Sequence, residues 1–271
     1  MNYRHAFHAG NFADCMKHAL LVWLQSAMIR KPAGVFFLDT HAGTGHTDLA
    51  GVEAQRTGEW HQGIARLTAP PEPLADYVAL VQQLGLYPGS PMLIRARMRP
   101  QDRLACCELH PQDHAALKRR FARDGLVSVH RRDAWEALGA LLPPEQRRAL
   151  VLIDPPYEAP DEFDRLVAGL RVGYARMPTA VFAAWYPIKH RAPPRELYLA
   201  LRASGLRDVV AAELWLREPL DAARLNGCGL VVVNPPFGFE AAAGEILAAL
   251  LLRLGDGEAG AGQAVIRLVD E

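Results

Sequence analysis

The chain has 271 residues, 30 Lys+Arg against 30 Asp+Glu, 50% hydrophobic and 22% charged residues. That balance excludes a disordered or fibrous chain and a wholesale polycationic binder, but not a local basic face. The length suits one large α/β domain or two small ones. Asn11 is placed to cap a helix whose apolar stripe is Phe12, Met16, Ala19, Leu20, Trp23 and Ala27. Pro32 and Gly34 stop it. Val35-Phe36-Phe37-Leu38 then reads as a strand buried on both faces, ending in Asp39-Thr40-His41-Ala42-Gly43-Thr44-Gly45. Residues 46–100 break the rhythm: two or three helical patterns and a turn at Tyr87-Pro88-Gly89-Ser90-Pro91 stand where one short helix is expected. They read as an inserted helical subdomain, with 1–45 and 101–271 forming the main domain.

From Leu104 onward, strand and helix patterns alternate. Strands at 104–107, 126–129, 150–153 and 179–185 are each followed by a helix, and late strands fall at 209–216, 229–233 and 264–269. One helix, around Ala241–Leu252, precedes the last strand. The alternation implies an α/β fold with a mainly parallel, doubly wound sheet. The four cysteines, Cys15, Cys106, Cys107 and Cys228, form no C-x-x-C pair. A reducing cytoplasm fits them better than a disulfide framework or zinc site, and Cys106 and Cys107 should face opposite sides of a strand. The N-terminal residues lack a signal-peptide core, and no stretch reaches the roughly 20 apolar residues of a membrane span. A cytoplasmic monomer with no membrane partner is expected.

Four features point to chemistry. The first is the turn Asp39-x-x-x-Gly43-x-Gly45, where glycines let a ligand approach the backbone beyond a strand's carboxyl end. It is neither a P-loop nor a complete dinucleotide fingerprint. The second is a carboxylate after each successive strand. Glu108 can accept two ribose hydroxyls and Asp133 an adenine amino group, although each could merely cap a helix.

The third is Asp154-Pro155-Pro156-Tyr157 after a buried strand. An exocyclic amine is a poor nucleophile because its lone pair is delocalised into the ring. The Asp154 carboxylate and the Pro155 carbonyl can accept its two N–H groups and free that lone pair, while Tyr157 stacks on the extruded base. A rival turn exists at Asn234-Pro235-Pro236-Phe237. Chain order favours Asp154, whose strand should lie beside the first, and leaves Asn234 toward the far side of the sheet. The fourth is the N-terminal stretch of residues 1–11, with Tyr3, Arg4, His5, Phe7 and His8, then Lys17 and His18 in the following helix. It suits RNA contact; a metal site of its histidines ranks lower, for lack of ligand spacing. Arg95, Arg97, Arg99 and Arg103 could extend a basic face or be merely solvated.

Together these residues resemble the bacterial large-subunit ribosomal RNA adenine-N6 methyltransferases of the J type. The resemblance runs through Tyr3–Asn11, Leu38–Gly43, Arg56-Thr57-Gly58-Glu59, Tyr87–Pro91, Glu108-Leu109-His110-Pro111, Ile153–Tyr157 and Trp185-Tyr186-Pro187. It implies a Rossmann-like class I fold with an inserted helical subdomain, S-adenosyl-L-methionine as cofactor, 23S rRNA as partner and no metal. It further implies that His18, His41, Ser90, Glu108, Asp133 and Ala134 bind the cofactor. Asp154, with Pro155 and Tyr157, would be catalytic, and Tyr3 and Arg4 would meet the RNA. Ala134 stands where the family pattern often has Gly. A DNA adenine methyltransferase and a catalytically silent RNA-binding module on the same fold are the alternatives.

Overall fold

Asn11 does cap the first helix: in the computed structural model, which describes residues 5–271, its side chain accepts from the Asp14 N–H at 2.9 Å. Helix α1 (Phe12–Ile29) is buried around most of its circumference, with Asp14, Lys17, His18 and Gln25 enclosed beside Met16, Leu20 and Leu24. This corrects the single-stripe reading, since Lys17 and His18, which lie outside that stripe, are buried as well. The reason is the segment 46–100, whose helices cover part of the α1 surface turned away from the sheet.

Strand β1 (Phe36–Asp39) leads into that segment. It holds a small ribbon of β2 (His46–Thr47) and β3 (Tyr87–Pro88), with helices α2 (Val52–Thr57), α3 (Glu72–Leu84) and α4 (Ser90–Ala96). Its buried Leu67, Leu74, Tyr77, Leu93 and Ile94 join the same core as α1, so the segment shares that core.

The rest alternates as β4 (Arg103–Cys107), α5 (Pro111–Arg120), β5 (Val127–His130), α6 (Ala134–Ala140), β6 (Ala149–Ile153) and α7 (Glu162–Arg176). Then come β7 (Val181–Ile188), α8 (Ala192–Ala203), β8 (Val209–Trp215), β9 (Gly227–Val233), α9 (Phe239–Leu254) and β10 (Gly262–Val269). The sheet order is β10-β8-β9-β7-β6-β1-β4-β5. Strands β5, β4, β1, β6 and β7 are mutually parallel, β9 runs antiparallel between β7 and β8, and β10 is antiparallel on β8. As expected, β6 lies beside β1.

Two apolar layers sandwich the sheet. One packs α1, α3, α4 and α9 on Phe37, Cys106 and Leu152; the other packs α6, α7 and α8 on Leu38, Cys107 and Ile153. Cys106 and Cys107 therefore face opposite layers, and all four cysteines are buried free thiols. Among the described residues, no helix is long and apolar enough to cross a membrane.

Candidate active site

Parallel pairing places the ends of β1, β4, β5 and β6 on one edge of the sheet, and with them Asp39, Glu108, Asp133 and Asp154. Asp39 points into the layer under α1. It accepts from Ser90 Oγ at 2.6 Å and from the His41 N–H at 3.3 Å. Burial raises its carboxyl to about 7, with the nearby Asp154 charge adding to that effect. His41 Nδ1 accepts from the Asp154 N–H at 3.3 Å. Desolvation lowers His41 to about 4, so the imidazole is neutral at physiological pH.

Lys17 completes the constellation, and sequence reasoning had misplaced it. Instead of facing phosphates, its ammonium lies 2.5 Å from Asp154 Oδ2 and 3.0 Å from Asp14 Oδ1, with the side chain 6% exposed. Burial alone would lower its pKa; the two carboxylates outweigh that and raise it. The Asp14–Lys17 spacing of three was a visible signal of a helical pair. The partner 137 residues away was not. Asp154 Oδ1 has no hydrogen-bond partner among the described residues.

Glu108 does not cap α5. Its Oε2 accepts from the Gly43 N–H at 2.9 Å and its Oε1 from the His110 N–H at 2.7 Å, so it ties the glycine turn to the end of β4. Burial raises its carboxyl. Gly43 has φ +58°, and a Cβ there would meet nothing within 4 Å, so the turn opens onto free space. Asp133 does cap α6: its Oδ1 accepts from the Trp135 and Glu136 N–H groups at 2.9 and 3.2 Å. Ala134 is the first residue of that helix and is not among the positive-φ positions, so its departure from glycine carries no backbone strain. Trp135 stands edge-on to His41 at 5.9 Å, with the Arg165 guanidinium over its ring at 5.4 Å.

His18 belongs to a neighbouring group. Its Nδ1 lies 3.1 Å from Tyr87 Oη, so it supports the turn that delivers Ser90. Tyr157 adopts φ +50°, a conformation that costs a non-glycine residue about 1–3 kcal/mol and collects at functional turns. Its hydroxyl donates to the Trp185 carbonyl at 3.0 Å, and its ring packs on Phe163 and Trp185. Tyr3 and Arg4 lie outside the described residues. From Phe7 onward the N-terminal stretch is docked. His8 and Asn11 reach the two Glu59 oxygens at 2.8 and 2.9 Å, and Ile64 N–H donates to the Gly10 carbonyl at 2.8 Å. A Cβ at Gly63 would sit 2.0 Å from that carbonyl oxygen, so this docking needs glycine.

The rival turn separates cleanly. Because β9 runs against β7, Asn234 emerges at the opposite edge from Asp154. Its Nδ2 donates to the Pro178 and Ala180 carbonyls, both at 2.7 Å, so it braces the start of β7. Its own φ is +52° and Phe237 is fully exposed, whereas at the other turn the fourth residue, Tyr157, takes the left-handed value and is packed. A surface groove between α7 and α8, at Arg171, Tyr174 and Ser204, is also remote from the carboxylates. The arginines at 95, 97 and 99 are engaged with Asp124, Asp76 and Asp102, and Arg103 with backbone carbonyls. They form no free basic face. Among the described residues, no group of His, Cys, Asp and Glu is arranged to hold a metal ion.

A central β1 flanked by β4 and β6, a reversed strand β9 beyond β7, a glycine turn after β1 and a buried acid after β4 define a class I, Rossmann-like methyltransferase that uses S-adenosyl-L-methionine. The Gly43 turn is open, and the anchored Glu108 carboxylate keeps acceptor capacity, so both are chemically able to hold that cofactor.

Within that class, residues 32–266 match the family model described as Ribosomal RNA large subunit methyltransferase D, RlmJ, and the chain belongs to this family. It is 39% identical to Ribosomal RNA large subunit methyltransferase J of Haemophilus influenzae, covering 91% of this chain and 92% of that protein. The Escherichia coli protein of the same name is 38% identical, with 91% of each covered. A crystal structure of a Legionella pneumophila protein superposes with a TM-score of 0.87 at 31% identity, over 96% of this chain and 98% of that one. The family favours neither DNA methylation nor a silent binding module.

Proposed function

We propose that the chain methylates the exocyclic N6 amine of one adenine in 23S rRNA, as a cytoplasmic monomer with no membrane partner. The observation that carries this is the Lys17–Asp154 pair at the stiff Pro-Pro turn after β6. Lys17 holds one oxygen of Asp154, which leaves the other to accept an N–H of the amine. The Pro155 carbonyl accepts the second N–H. With both protons held to one side, the nitrogen lone pair turns away from the ring toward the cofactor edge. Bound S-adenosyl-L-methionine supplies the electrophilic methyl group. One amine proton leaves to solvent as the N–C bond forms and the methyl group's bond to sulfur breaks, leaving a neutral thioether.

In this reading Glu108 accepts the cofactor's ribose hydroxyls, and Asp133 with Ala134 receives the adenine end. His18, His41 and Ser90 shape the opposite wall. Tyr157, fixed by Trp185, is the ring on which the extruded base rests. Tyr3 and Arg4 meet the RNA strand, with the docked segment 7–11 as their base. Residues 46–100 act as an inserted helical subdomain on a main domain of 1–45 and 101–271. The test is competition: protein-free 23S rRNA and a DNA copy of the same sequence, offered together with labelled cofactor. Label in RNA alone supports the reading; label in DNA overturns it.

A further inference from the structure

Strand β7 outruns β6. Ile153, the last residue of β6, pairs with Ala184, and β7 continues to Ile188. Lys189 lies five residues past that register, which at about 3.3 Å per residue carries it roughly 16 Å past the level of Ile153. The end of β8 and the start of β9 are level with it, since Gly227 pairs with both Ile188 and Trp215. These strand ends form a wall on the side of Asp154 away from the cofactor strands.

Buried Asn226 makes the wall one unit. Its N–H donates to the Ile188 carbonyl at 3.1 Å, and its Nδ2 donates to the Lys189 and Asp221 carbonyls, both at 2.7 Å. Lys189, Arg195 and Arg224 are exposed here and make no ion pair among the described residues. The Arg191 guanidinium lies over the Trp215 ring at 5.1 Å, a platform of cation and aromatic. The arginines at 95, 97, 99 and 217 are by contrast already matched to acids. The acids on these loops are Glu196, Glu218 and Asp221. Asp221 caps its own turn through the Ala223 N–H, and Glu218 packs against Gly260 on the β8 side. Glu196 shares the cationic surface, and Glu258, paired with Arg217, also acts on Arg224.

We propose that this wall docks the phosphate backbone of the RNA strand carrying the target base, with Lys189, Arg191, Arg195 and Arg224 as its phosphate contacts. The proposal rests on the rRNA reading above. Cations on a wall that projects past the catalytic turn position a strand without reading its sequence, which leaves recognition to the base pocket and the N-terminal residues.

The test compares wild type with Lys189→Gln/Arg195→Gln/Arg224→Gln, which leaves the Arg191–Trp215 stack in place. A double variant at the opposite edge, Arg147→Gln/Arg171→Gln, is the control. Binding of labelled 23S rRNA transcript is read by filter retention across a salt series, alongside methyl transfer and cofactor affinity. The expected result is binding weakened about 10-fold or more, with a log–log salt slope shallower by roughly two to three, since each lost phosphate contact contributes about 0.7–0.9. Cofactor affinity and turnover at saturating RNA should hold. Unchanged binding and slope, or an equal loss in the control, overturns the wall. A wild type that binds RNA but transfers no methyl group to it overturns the rRNA reading instead.

Discussion

Lys17 sits between two carboxylates that have little access to water, so removing it has a definite sign. Lys17→Met removes the ammonium that Asp154 faces and takes one partner from Asp14. Breaking one side of a buried pair costs about 3–5 kcal/mol, and the partial exposure of Asp154 places the expectation near the lower end. Denaturant unfolding checks this, and a loss under 1 kcal/mol would mean the pair is not what holds the site. Methyl transfer should fall with it, because Asp154 loses its fixed orientation. Glu108 makes a different prediction, since its partners are backbone N–H groups. Glu108→Ala should weaken S-adenosyl-L-methionine binding by about 1.5–3 kcal/mol, the range for hydrogen bonds to a charged group. Calorimetry on the folded variant that finds wild-type affinity would remove Glu108 from the site.

Asp39 and His41 titrate in opposite senses. Burial raises folded Asp39 from 3.8 to about 7, so between those values the folded state holds the extra proton and stability falls as pH rises. Burial lowers folded His41 from 6.5 to about 4, so in that window the unfolded state binds more protons and stability is lost as pH falls. The two slopes oppose each other. Asp39→Asn removes one of them. The variant should gain on wild type as pH climbs from about 4 to about 7, by at most about 4 kcal/mol at about 1.4 kcal/mol per pKa unit. Thermal melts across that range read the difference, and a constant offset would contradict the assignment.

At the scale of elements, two turns of nearly the same sequence have been sent to opposite ends of one sheet. Strand order alone was enough to prefer Asp154, but the decisive cause is the reversal of β9. A continuous apolar run such as Leu230–Val233 carries no sign of its direction, so that cause could not be read from sequence. The same limit hid the depth of α1. Its stripe was legible, but the burial of His18 depends on Tyr77 of α3 and Tyr87 of β3, and Lys17 turns to Asp154 after β6, all from distant parts of the chain. Asn234→Ala should cost about 1–3 kcal/mol, because two carbonyls lose their donor and alanine resists a positive φ. Turnover per folded molecule should stay near wild type. Asp154→Ala should cost at least about 10²-fold in turnover, the low end for a positioned acid–base or electrostatic group. An inactive but folded Asn234→Ala protein would reverse the assignment.

Across the whole molecule, the alternation of strand and helix, the four carboxylates on one edge and the insertion at 46–100 were all visible as patterns. What joins them was not. The contacts of Glu59 with His8 and Asn11, of Lys17 with Asp154 and of Ser90 with Asp39 each bridge about 50 residues or more and depend on the assembled sheet. The central claim is that this assembly turns Asp154 and Pro155 into a holder for an adenine amine of 23S rRNA. The most direct measurement is mass spectrometry of nucleosides from 23S rRNA incubated with the protein and isotope-labelled S-adenosyl-L-methionine. The account predicts label in N6-methyladenosine, and none with Asp154→Ala that still binds cofactor. Label in any other nucleoside, or undiminished N6-methyladenosine from the Asp154→Ala protein, would contradict it.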